Sequence, residues 1–86
     1  MRIRYHKNFQ KQVANLPAAQ RERLKSAMKM FVVNPYDPEL YNHPLTGEWR
    51  GHRSIVFGGD WRAHYIVLED DEVLFVAVGM HSQLYK

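Results

Sequence analysis

Three phrases in the second half of this 86-residue chain hold residue types that together move protons and grip phosphate. They are "HPLTGEWRGHR" from His43, "GGDWRAHY" from Gly58 and "GMHSQLY" from Gly79. Cleaving an RNA phosphodiester needs a base for the 2′-hydroxyl, an acid for the departing 5′-oxygen and cations for the charge that builds on phosphate. Histidine transfers protons because its ordinary pKa lies near ~6.5, and the arginine fork matches two phosphate oxygens. On these grounds His81, just past the last apolar segment, is the first acid–base candidate. Asp60 either orients it, acts as a base, or only caps a turn. His43, in a proline-rich stretch, is a second proton-transfer candidate, because a loop residue can be aimed into a site from a rigid sheet. Arg53 and Arg62 read as a phosphate clamp, and His64 extends the binding surface without a catalytic part. Tyr85 is placed to stack on a base or donate to phosphate. Each has a plainer reading as a solvated side chain, and Trp49 and Trp61 read as packing residues. No compact metal-ligand motif and no glycine-rich phosphate cradle is present, so neither metal nor cofactor is expected.

The elements that must position these groups follow from periodicity. "RIRYH" alternates and reads as a half-buried strand. From Asn8 the spacing turns helical, with Phe9, Val13 and Leu16 on one stripe. Pro17 breaks that helix and opens the next, where Leu24, Ala27, Met28 and Phe31 make the apolar face. Pro35, Pro38 and Pro44 punctuate an irregular connection. "EWRGHRSIVF", "DWRAHYIVLE" and "EVLFVAVGMH" then read as three strands joined at Gly58-Gly59 and Asp70-Asp71. The expected fold is α+β, in the order β-α-α-β-β-β: a curved, mainly antiparallel sheet with two helices on one face, formed by residues 1–86 as one domain.

Two-residue turns give definite registers. The first sets Phe57 against Asp60, Ile55 against Arg62 and Arg53 against His64. The second sets Val67 against Leu74, Tyr65 against Val76, Ala63 against Val78 and Trp61 against Met80. Paired residues share a face. One face is then Val56, Trp61, Ala63, Tyr65, Val67, Leu74, Val76, Val78 and Met80, which the helices should cover. The other carries Arg53, Asp60, Arg62 and His64, with Ile66, Val73 and Phe75 as an apolar floor. Extending the second ladder brings His81 to Asp60, and Ala77 and Gly79 leave room above the sheet.

Composition narrows the partners. The formal net charge is +3, and four acids cluster at Glu69–Glu72. Outside that cluster 12 basic side chains stand against 5 acidic ones, a balance of +7. Such a surface suits a polyanion or an acidic protein, although ordinary solubility accounts for the charge equally well. Cysteine is absent, which fits a cytoplasmic protein. The polar start "MRIRYHKNF" is unlike a signal peptide, and no apolar run reaches the roughly 20 residues needed to span a bilayer.

Taken together, "HPLTGEWRGHR", "DWRAHY" and "GMHSQLY" resemble the RelE/ParE superfamily of bacterial toxins, nearest its YafQ-like branch, and the order of elements is similar as well. The resemblance implies a ribosome-dependent messenger-RNA endonuclease that works in the A site of the 70S ribosome without a metal. It leaves a 2′,3′-cyclic phosphate and a 5′-hydroxyl. A cognate antitoxin would bind and block it, and operator DNA would be met only through that antitoxin. His43 matches the family's loop histidine, Asp60 the acid before its tryptophan, and His81 the C-terminal catalytic histidine. Tyr85 matches an aromatic position, and Arg53 and Arg62 match basic positions on the sheet. The implied roles are His81 as general acid, with Asp60 or His43 on the base side. Val56 stands where the branch has a further catalytic histidine, and it cannot transfer protons. Three alternatives therefore stand beside the nuclease: a relative that acts only through its antitoxin, a gyrase-targeting toxin on the same scaffold, and a plain interaction domain.

Overall fold

A computed structural model describes residues 1–85. Strand β1 (Arg2–Tyr5) leads into helices α1 (Lys7–Ala14) and α2 (Ala18–Val33). A long connection holds the two-residue strand β2 (His43–Pro44), and strands β3 (Arg53–Val56), β4 (Trp61–Glu69) and β5 (Glu72–Met80) follow. A short helix, α3 (His81–Leu84), ends the described chain. The sheet order is β1-β5-β4-β3-β2. Only β1 and β5 run parallel, at one end of an otherwise antiparallel sheet. Among the described residues no helix is long and apolar enough to cross a membrane.

The helical stripes seal one face. Phe9, Leu24, Ala27 and Phe31 come from the helices, and Ile55, Phe57, Ala63, Tyr65, Val73, Phe75 and Val78 come from the sheet or the turn beside it. Phe31 sits at the centre, edge-on to Tyr65 at 5.1 Å and to Phe75 at 5.3 Å between ring centroids. Edge-to-face pairs of this kind add to the transfer free energy of the rings.

Two departures from simple alternation set the remaining geometry. The first bend is a three-residue loop, Gly58-Gly59-Asp60, closed by Phe57 N–H donating to the Trp61 carbonyl at 3.2 Å. Both glycines have positive φ, +119° and +53°, a conformation that suits glycine. Asp60 thus belongs to the loop, and the expected register is one residue out. Arg53 pairs with Tyr65, Ser54 with His64, Ile55 with Ala63 and Val56 with Arg62. The second turn, Asp70-Asp71, is the two-residue bend expected, with Glu69 opposite Glu72. The pairs Ala63–Val78 and Trp61–Met80 also form as expected. Between turn and pairs the register shifts twice: at Leu68, so that Val67 faces Val73 rather than Leu74, and in β5 at Val76, so that His64 faces Ala77 but Tyr65 faces Phe75 rather than Val76. A bulge inserts one residue and reverses the faces beyond it. Phe75 and Val73 therefore turn into the core instead of flooring the open face. Leu74 pairs with Ile66, and both are half-buried on the open side.

Three further differences concern the elements themselves. The segment before β3 is not strand: Gly47–Trp49 forms a single 3₁₀ turn. His43 and Pro44, expected in irregular chain, add a strand at the sheet edge. His81 opens a helix that the apolar pattern did not announce.

Candidate functional site

The open face is built in rows, because residues paired across strands project to the same side. One row runs His43, Ser54, His64, Ala77. The next runs Val56, Arg62, Gly79. At the end of β5 the His81 N–H donates to the Asp60 carbonyl at 2.8 Å, so the juxtaposition of His81 and Asp60 is present in the backbone. The Asp60 side chain is exposed and makes no ion pair among the described residues.

His43 is half-buried, and its Nδ1 lies 2.8 Å from the Tyr41 carbonyl. A carbonyl only accepts, so Nδ1 carries the proton in the neutral ring and Nε2 is left as the basic nitrogen. Tyr41 itself takes a left-handed backbone, φ +46°, and its ring tilts against His43 at 5.1 Å. A non-glycine residue in that region is held there by its surroundings.

At the other end of the face, α3 is tied down from two sides. Trp49 Nε1 donates to the Leu84 carbonyl at 3.1 Å. Tyr85 Oη lies 3.2 Å from His64 Nε2, and the Tyr85 ring packs on His81 at 4.4 Å and 33°. Trp49 also stands edge-on to His64 at 4.5 Å and to His52 at 5.3 Å. The result is a chain of rings, His52–Trp49–His64–Tyr85–His81, across the open face.

His64 is the main surprise. Expected as an exposed extension opposite Arg53, it pairs with Ser54 and is 0% exposed. Burial pushes its pKa down from the ordinary value to about 4, and the nearby charges of His52, His43, Arg62 and His81 push the same way. Burial also raises the Tyr85 phenol, with Arg62 opposing. His43 reaches His64 across Ser54 in one row, Arg62 stands two residues before it on the same strand face, and His81 is joined to it through the Tyr85 ring.

Arg53 and Arg62 do not form the expected clamp. With the register shifted, Arg53 shares the helix-covered face with Tyr65 and Arg62 shares the open face with Val56. Arg53 Nε donates to Asn42 Oδ1 at 2.8 Å and its guanidinium stacks over Tyr36 at 5.3 Å. Asn42 Nδ2 in turn donates to the Tyr65 hydroxyl at 2.7 Å. Arg53 thus braces the residue before His43. Arg62 Nη1 donates to the Gly59 and Trp61 carbonyls at 2.8 and 3.2 Å. Val56, expected under the helices, lies beside Arg62 on the open face. Tyr85 keeps its aromatic position, but its hydroxyl is engaged by His64 rather than free for phosphate.

Trp49, Tyr41, Asn42 and Ser54 were not singled out for the site from sequence. Trp49 carried the one available signal: a large aromatic with a polar N–H, four residues before a short strand, needs both a surface and an acceptor.

The model of the YafQ family, bacterial toxins of type II toxin–antitoxin systems, matches residues 1–86. Among curated proteins, none matches the sequence. Of solved structures, YafQ from E. coli strain BL21(DE3) is 29% identical with a TM-score of 0.80, covering 100% of both chains. The E. coli DinJ–YafQ complex gives 27%, 0.78 and the same coverage. The archaeal RelE–RelB complex from Pyrococcus horikoshii OT3 shares the fold, with a TM-score of 0.73 at 22% identity, covering 95% of this chain and 96% of that one. With the family model matched from end to end and the small mixed sheet and helices in common, the chain belongs to the YafQ family of type II toxin–antitoxin toxins.

Proposed function

We infer that this toxin is a ribosome-dependent messenger-RNA endonuclease acting in the cytoplasm, in the A site of the 70S ribosome. The observation that carries the reading is that strand pairing and ring contacts bring His43, Arg62 and His81 to the one sheet face not covered by the long helices, with His64 between them. His43 Nε2 takes the proton of the 2′-hydroxyl, since Nδ1 is committed to Tyr41. The 2′-oxygen attacks phosphorus, the bond to the 5′-oxygen breaks, and the His81 imidazolium protonates that leaving oxygen. The products are a 2′,3′-cyclic phosphate and a 5′-hydroxyl. Arg62 has donors beyond those used on the loop carbonyls and offsets charge on the non-bridging oxygens. Asp60 serves through its backbone carbonyl, which receives the His81 N–H and fixes the start of the short helix. The Tyr85 ring offers a base an aromatic edge. Arg53 serves through Asn42 by holding the His43 loop. The E. coli relative is solved with DinJ in a toxin–antitoxin complex; for this chain the corresponding partner is a cognate antitoxin, with operator DNA bound only through it.

The test is a translation reaction with purified toxin and a defined message, mapping 5′ ends. Cuts at codon positions should appear, and His81→Ala or His43→Ala should slow them by about 10²- to 10⁴-fold. Val56 on the site face favours one other reading, a toxin that binds ribosome or antitoxin without cutting. Intact message with normal ribosome loading would select it.

A further inference from the structure

We propose that His64 is a positioning residue: a buried imidazole that holds Tyr85 and, through the Tyr85 ring, sets the placement of the His81 ring. The inference rests on reading His81 as the acid of an RNA-cleaving site.

A helix of four residues has no stability of its own, so α3 goes where its contacts put it. Its start is fixed by His81 N–H to the Asp60 carbonyl and by Gln83 Oε1 accepting from Met80 N–H at 2.8 Å. Its far end is held by Trp49 at Leu84 and by His64 at Tyr85. Of these ties, the one at Tyr85 acts on a ring that touches the His81 ring directly. His64 cannot meet a substrate phosphate itself, because it is sealed beneath Trp49 and Tyr85. An apolar residue would fill this position on the sheet without the penalty of burying a polar ring. What the imidazole adds is the Nε2 contact.

The surroundings keep that contact constant. The groups facing His64 are His43 on β2, His52 before β3, Arg62 on β4, and His81 and Tyr85 at α3. The first four carry or can acquire positive charge, and none is a carboxylate. His64 therefore stays neutral, its pKa held down to about 4. A neutral ring keeps its Nε2 contact with the Tyr85 hydroxyl.

The experiment compares wild type with His64→Leu, His64→Gln and Tyr85→Phe. Gln retains a polar group able to reach Tyr85, and Tyr85→Phe keeps the ring but removes the hydroxyl. Proton NMR of the carbon-bound His81 ring hydrogens reports the Tyr85 ring current. The shifts should move toward exposed-histidine values in His64→Leu, move partly in Tyr85→Phe, and recover in His64→Gln. In message cleavage, kcat should fall about 10- to 100-fold in His64→Leu, the scale of a misplacement near 1 Å, with KM within about twofold and recovery in His64→Gln. Folded His64→Leu with unmoved His81 shifts and unchanged kcat overturns the proposal. If His64→Leu does not fold, Tyr85→Phe decides by the same two readouts. Should wild type cut no message, the nuclease reading falls, and the ring shifts alone support or overturn the positioning role.

Discussion

Face against face, the sheet solves two different packing problems with the same strands. Under α1 and α2, Phe31, Phe75 and Tyr65 meet ring to ring, and the one buried hydroxyl, on Tyr65, is bonded to Asn42. On the other side the rings are imidazoles, a tryptophan and a tyrosine, carried or covered only by a 3₁₀ turn and a short helical end. The first face is stabilised by area removed from water. The second is held by a few directional contacts around one neutral histidine. Packed core and candidate site thus lie on opposite sides of a single sheet.

Truncating the centre of the sealed face should have the largest effect. Phe31→Ala should cost about 3–5 kcal/mol, read from urea unfolding; a loss below about 1 kcal/mol would erase the contrast between the faces. Next comes the acid limb. His64 has its folded pKa lowered from 6.5 to about 4, so the unfolded chain binds the proton first. Its contribution is complete above the unfolded pKa and is lost as pH falls from about 6.5 toward about 4, roughly 3 kcal/mol in all. In His64→Leu the stability of the toxin should fall less steeply over that window, measured by urea midpoints at several pH values. An unchanged slope would show that the open face carries no buried ionisable group. A smaller effect separates the two arginines. Arg62→Ala should reduce the salt slope of message binding by about 1. Arg53→Ala should leave that slope alone and lower stability by about 1 kcal/mol, through the lost Tyr36 and Asn42 contacts. The smallest is Gly79→Ala. Its Cβ would meet Gln83 Oε1 at 2.9 Å, displacing a flexible amide from Met80 N–H, for about 1 kcal/mol or less.

The helices were legible because their apolar spacing matches 3.6 residues and Pro17 separates them. The second hairpin was legible because Asp70-Asp71 is the whole turn. The first hairpin was misjudged by one residue: nothing in "FGGDW" says that Asp60 is inside the loop, and one residue is enough to exchange Arg53 for Val56 on the site face. The bulge at Val76 leaves no mark, since "VLFVAV" is apolar in every register. His43, Asp60 and His81 were singled out from residue type and place along the chain, and the family resemblance of their phrases points to the same three. The place of His64 was not legible, since an imidazole between Ala63 and Tyr65 reads as polar until Trp49 and Tyr85 are seen to cover it.

Gln12 and Gln83 have one more consequence. Strand β1 covers β5 only as far as Phe75; beyond it, Gln12 Oε1 accepts from Val78 N–H at 2.8 Å and Gln83 Oε1 from Met80 N–H. Side-chain amides thus occupy donors that a foreign strand would seek. A foreign strand finds little to grasp along this border unless both glutamines swing away together.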